Sequence, residues 1–169
     1  MKIRGIYTPA ITPLRQDGEI DWDGFAAILE HLVAAGVDGI VVGGTTGEYY
    51  AHSTEERLES LRRAMDIVGT RAVMVGGTGA IRTEDSIELA TEVAGMGYDA
   101  LLVTTPPYAQ PTPRENALHA LAVDRAANLP IILYNYPGRM AAEMSEEYLD
   151  RVGRSPNFCA IKESSGDIN

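Results

Sequence analysis

"GIVVGGTTGEYYAHSTEERL", residues Gly39–Leu58, contains one structural unit from start to finish. The β-branched run Gly39–Val42 reads as a strand. Glycines and threonines then turn the chain. Ser53, three residues ahead of Glu56, forms a capping box and opens a helix. The same order recurs on both sides. The other strand candidates are Gly5–Ile11, Ala72–Val75, Ala100–Thr104, Pro130–Tyr134 and Phe158–Lys162. Between them, Phe25, Ile28, Leu29, Leu32 and Val33 mark one helix face. Thr112–Glu115 is a second capping box, with Pro113 at the favoured first helical position. Thr83 and Ser145 read as N-caps ahead of "IELATEVA" and "EEYLDRV", and Gly36, Gly69 and Gly95 as helix closers.

Strands recur about every 30 residues, the size of a βα repeat. Alternating β and α elements imply a parallel sheet flanked by helices. Two architectures fit that pattern. A doubly wound sheet could finish within 169 residues. A (β/α)₈ barrel needs eight units and typically ~250 residues. No linker or low-complexity stretch divides residues 1–169, which read as one domain.

Composition narrows the function. The formal charge of −10, with no Lys/Arg cluster, argues against a nucleic-acid partner. The single cysteine, Cys159, excludes an internal disulfide and fits a reducing compartment. No apolar run has the length of a signal peptide core or a membrane span, so a cytoplasmic protein is expected. His31, His52 and His119 have no metal-ligand spacing, and no metal is expected.

Two glycine-rich turns, "VVGGTTGE" (Val41–Glu48) and "VGGTGAIR" (Val75–Arg82), follow strands. Neither completes a dinucleotide fingerprint or a phosphate loop: Arg82 stands where the last glycine is needed, and no lysine is near. They suit a small anion held by backbone N–H groups and threonine hydroxyls. We favour that for Thr45–Thr46 and plain turn chemistry for the second. Tyr108 and Tyr134 sit at strand ends, where a phenol can relay protons; Tyr7, Tyr136 and Tyr148 read as packing. Arg139, in a turn after Pro137-Gly138, suits bidentate carboxylate recognition or a surface ion pair.

Only two lysines occur, Lys2 and Lys162, against twelve arginines. In "FCAIKE", alternation puts Phe158, Ala160 and Lys162 on one face and Cys159 and Ile161 on the other. In a closed sheet that face points inward among apolar walls. Burial disfavours an ammonium and frees an amine to attack a carbonyl, the setting of a Schiff-base lysine. A strand-end lysine reaching for water is the alternative.

The segments "GIYTPAITP", "GGTTGE", "VGGTGA", "TPPY", "LYNYPGR" and "IKESSGD" together resemble the dihydrodipicolinate synthase / N-acetylneuraminate lyase family of pyruvate-dependent class I aldolases. The resemblance implies a (β/α)₈ TIM barrel with a C-terminal helical extension. These residues would supply about the first six strands, leaving the last two strands and the terminal helices absent. It implies Lys162 as the imine-forming lysine and Tyr134 as proton shuttle. Thr45 and Tyr108 would be the shuttle's relay, with Tyr108 entering from a neighbouring subunit. Thr45 and Thr46 would cradle the pyruvate carboxylate, and Arg139 would meet the second substrate. It implies no cofactor, pyruvate plus an aldehyde as substrates, and a homo-oligomer, dimer or tetramer. Tyr49, Met140-Ala141 and Leu14 depart from the usual synthase pattern. The first two lie near the second-substrate region. Expected is a synthase-like condensation of pyruvate with aspartate semialdehyde. The alternatives are an aldolase or dehydratase of 2-keto-3-deoxy sugar acids, or a fragment that only binds or assembles.

Overall fold

The computed structural model describes residues 3–167; Lys2 lies outside them. Six parallel strands form one sheet: β1 (Tyr7–Pro9), β2 (Gly39–Val42), β3 (Val73–Gly77), β4 (Ala100–Thr104), β5 (Ile131–Asn135) and β6 (Phe158–Glu163). The helices between them are α1 (Trp22–Ala34), α2 (Thr54–Val68), α3 (Thr83–Gly95), α4 (Pro113–Ala127), α5 (Pro137–Met140) and α6 (Glu146–Val152). Each strand pairs with its neighbour in sequence, in the order β1-β2-β3-β4-β5-β6. A doubly wound sheet would reverse its order partway and carry helices on both faces. Here the order never reverses, and the helices cover one face only.

Strand alternation builds the two faces. Ile40, Val42, Met74, Leu101, Val103, Ile131 and Leu133 pack outward against Phe25, Leu29, Leu61, Val93, Val123 and Tyr148 of the helices. Full burial of one such Leu or Phe is worth about 1.5–3 kcal/mol. The in-between residues Val41, Val75, Ala100, Leu102, Ile132 and Tyr134 form a second cluster made by strands alone. This is the lining of a barrel, and the chain is a partial (β/α)₈ barrel of six strands, open between β1 and β6. Among the described residues no helix is long and apolar enough to cross a membrane.

Strands β2 and β4 have the bounds expected from sequence. β1 is shorter than Gly5–Ile11: it has one neighbour, β2, and Pro9 offers no N–H to extend a ladder. β3 runs on through Gly76-Gly77, because the partner strand β4 continues beside them. The capping boxes at Ser53–Glu56 and Thr112–Glu115 form as expected, and Ser145 accepts from Tyr148 N–H. Thr83 is not an N-cap. Arg82 takes that position without a side-chain bond, and the Thr83 hydroxyl instead meets His119 Nδ1 at 3.0 Å. Gly95 is the last residue of α3, and the left-handed turn falls on Gly97 at φ 86°.

His119 is buried between α3 and α4, and burial pushes its pKa down to about 4. The unfolded chain titrates near 6.5, so the folded state resists protonation. The neutral form's stability is therefore complete above pH ~6.5 and is lost as pH falls toward 4, by about 3 kcal/mol in all. Urea midpoints measured from pH 7.5 down to 4.5 should fall steeply. His119→Asn, which keeps an acceptor for Thr83, should flatten that slope. An unchanged slope would place the acid sensitivity elsewhere.

Candidate active site

Strand register brings the two chief residues together. Tyr134 and Lys162 are direct neighbours across β5–β6. The Lys162 Nζ lies 4.0 Å from the centroid of the Tyr134 ring. Tyr134 is buried and Lys162 half-buried. Lys162 edges a cavity of about 250 Å³ walled by Val41, Leu102, Ile132 and Ala160. The expected apolar surround is present.

The expected face for Phe158 is not. Ile131 pairs with Phe158, but Ile132 pairs with Ala160, a β-bulge that takes up one extra residue. Phe158 therefore packs with the helix-side core, whereas Ala160 joins the barrel lining. The bulge resets alternation, and Lys162 points inward with Ala160 but not with Phe158.

The turn after β2 carries the threonines. Thr45–Gly47 is a single 3₁₀ turn, followed by Glu48 in the left-handed region at φ 54°. The Thr45 hydroxyl is buried without a hydrogen-bond partner, and Thr46 is exposed. Thr45 and Arg139 share a cavity of about 320 Å³ with Tyr49, Tyr50, Pro107 and Met140. Arg139 sits on the one-turn helix α5, where the sequence suggested a turn. The nearby Tyr136 and Tyr50 hydroxyls hold its guanidinium further on the protonated side. Tyr108 lines neither cavity: it is 89% exposed, with φ at 69°.

The Tyr136 ring packs between the two groups, 5.8 Å from the Tyr134 ring and 5.6 Å from the Arg139 guanidinium. Tyr49, which the sequence placed near the second-substrate region, is buried, and Arg57, which the sequence did not single out, sets its guanidinium 5.0 Å from the Tyr49 ring centroid. Burial raises the Tyr49 pKa, opposed by the nearby Thr104 hydroxyl and the Arg57 charge. Arg57 itself is buried, and desolvation lowers its pKa. In sequence Arg57 is one arginine on an amphipathic helix, and nothing there distinguishes it from its exposed neighbours. Tyr49 did carry a signal, since it directly follows the Thr45–Glu48 turn.

The candidate site thus lies at the carboxyl ends of the strands of a partial barrel, the end at which barrel folds carry their sites. The profile of the Dihydrodipicolinate synthetase family matches residues 2–169, and the chain belongs to that family. It is 37% identical over 165 residues to 4-hydroxy-tetrahydrodipicolinate synthase of Leptospira biflexa, covering 98% of this chain and 56% of that one. It is 39% identical over 163 residues to 4-hydroxy-tetrahydrodipicolinate synthase 2 of Streptomyces coelicolor, covering 96% and 54%. The crystal structure of the Acinetobacter baumannii dihydrodipicolinate synthase complexed with pyruvate superposes with a TM-score of 0.94 at 35% identity, covering 99% and 57%. The chain thus spans little more than half the length of these relatives.

Proposed function

We propose that these residues carry the imine-forming site of a pyruvate-dependent lyase. The observation that carries this reading is the pairing of Lys162, at the edge of an apolar cavity, with the buried Tyr134 at the carboxyl ends of β5 and β6. The Lys162 amine attacks the pyruvate ketone carbon, and water leaves to give the imine. Tyr134 moves the protons of that step. Loss of a C3 proton then gives an enamine, with the imine nitrogen as electron sink, and its carbon attacks an aldehyde. Thr45 and Thr46 take the pyruvate carboxylate. The unpartnered Thr45 hydroxyl supports a polar group arriving there, because an unmet buried hydroxyl costs about 1–3 kcal/mol. The extreme exposure of Tyr108 supports its serving the site of a neighbouring copy in a dimer or tetramer. Peptide mapping after borohydride trapping with pyruvate tests the reading: an adduct on Lys162 supports it, and none defeats it.

For the second substrate, aspartate semialdehyde is our first choice, because Arg139 faces the cavity shared with Thr45. A charge-assisted pair is worth about 1.5–3 kcal/mol, so Arg139→Ala should raise KM for this aldehyde roughly ten- to a hundred-fold. Pyruvate trapping should be spared. One observation favours a 2-keto-3-deoxy sugar acid instead. Tyr49 and Tyr50 bring two phenols into the same cavity, and Tyr50 already engages Arg139. Unchanged kinetics with aspartate semialdehyde in the variant, beside turnover of a 2-keto-3-deoxy acid, would reverse the ranking.

A further inference from the structure

Asn135 follows Tyr134 on β5 and points to the opposite face, away from the cavity. It is 5% exposed, and its amide is used on both sides. The Asn135 Nδ2 donates to Glu163 Oε2 at 2.8 Å, and Oδ1 accepts from the Met144 backbone N–H at 3.1 Å. The partners fix the amide's orientation, since a carboxylate needs a donor and an N–H needs an acceptor. Asn135 also accepts through its backbone oxygen from Ser164 N–H at 2.9 Å. The bound carboxylate is anchored in turn, with Ser165 N–H donating to Glu163 Oε1 at 2.6 Å.

These bonds lie directly behind the site. Asn135 and Glu163 face each other in register, one step beyond the Tyr134–Lys162 pair. The bond to Met144 closes the segment 136–143, which carries Tyr136 and Arg139. One buried amide therefore joins three things: the end of β5, the end of β6, and the loop holding Arg139. The β6 end is the place that needs it, because the ladder is already broken at its start by the bulge at Ile131/Ile132.

We infer that Asn135, with Glu163 as its partner, is a positioning residue that holds Lys162 against Tyr134. The inference rests on the imine-forming reading above. Asn135→Asp keeps the shape and the acceptor for Met144 N–H. It removes the donor and sets two carboxylates against each other. In the intact protein, at a temperature where circular dichroism shows the variant folded, borohydride trapping at saturating pyruvate should slow. A displacement of about 1 Å at a reacting group costs up to a hundred-fold, so ten- to a hundred-fold is expected. The pyruvate concentration giving half-maximal trapping should change little, because the threonine turn follows β2, away from this link. A residue that only supported the fold would shift melting and leave the trapping rate of folded protein alone.

The double substitution Asn135→Asp/Glu163→Gln moves the amide across the pair. The glutamine then donates to the aspartate and still accepts from Ser165 N–H. It should restore trapping to within a few-fold of the unaltered protein, and it provides the test even if Asn135→Asp fails to fold. Normal trapping in folded Asn135→Asp, or a double variant as slow as the single, overturns the inference. No Lys162 adduct in the unaltered protein overturns the enzymatic reading, and the inference with it. A normal adduct in both the unaltered protein and Asn135→Asp overturns the inference alone.

Discussion

Borohydride added with pyruvate should link one pyruvate irreversibly to Lys162. Hydride reduces the imine C=N to a secondary amine, which can no longer hydrolyse. Lys162 is half-buried beside an apolar cavity, with Nζ 4.0 Å from the Tyr134 ring centroid. Lys162→Ala should abolish trapping. Lys162→Arg should abolish it too, because a guanidinium stays protonated and cannot act as the amine. The charge would survive in that variant, so its failure would separate nucleophilic chemistry from electrostatic attraction. Tyr134→Phe should slow trapping about a hundred-fold or more without moving its site, the usual share of a positioned proton donor. Mass mapping of the peptides decides among these. Adduct on Lys2 or the amino terminus would reveal unselective chemistry, and the absence of any adduct would remove the class I mechanism.

Gly77→Ala should cost about 3 kcal/mol or more, because the overlap it creates is between two backbones. A Cβ at Gly77 would fall on the Gly43 carbonyl, far inside van der Waals contact. Side chains can turn aside, but here β2 and β3 would have to part at their carboxyl ends. Gly43 and Gly44 lead into Thr45, so the turn with the unpartnered hydroxyl should move as well. Gly95→Ala provides the contrast. It ends α3 with no atom near a new Cβ, and alanine there should stabilise by up to about 1 kcal/mol. Urea denaturation of both variants checks the pair. Equal midpoints would mean that the sheet yields at Gly77 at little cost.

Repetition made much of this fold legible. Val41 and Leu102 face inward because strands alternate, and Ser53 and Thr112 start helices because their hydroxyls reach the third N–H. Periodicity and capping are local, so the residues themselves carry them. Whether the sheet closes or doubles back is not local. Spacing left both open, and the family motifs favoured the barrel before the strand order showed it. The failures were likewise contacts made at a distance. The bulge before Ala160 depends on how β6 meets β5, and no letter in "FCAIKE" marks it. Thr83 looked like a cap because His119, 36 positions on, was out of view. Arg57 and Asn135 were passed over for one reason. Their burial and partners exist only after β5, β6 and the turns above the sheet have been assembled.

The unreversed order of the strands has a mechanical corollary. Among the described residues each strand pairs only with the one before it and the one after, so none is held between strands remote along the chain. Produced as residues 1–169 alone and pulled by its two ends in an optical trap, such a sheet loads its outermost ladders first. It should peel inward from β1 and β6, giving several small rips in the force trace. A sheet whose middle strand joins distant segments would instead hold until that strand gave way, and then fail in one large event.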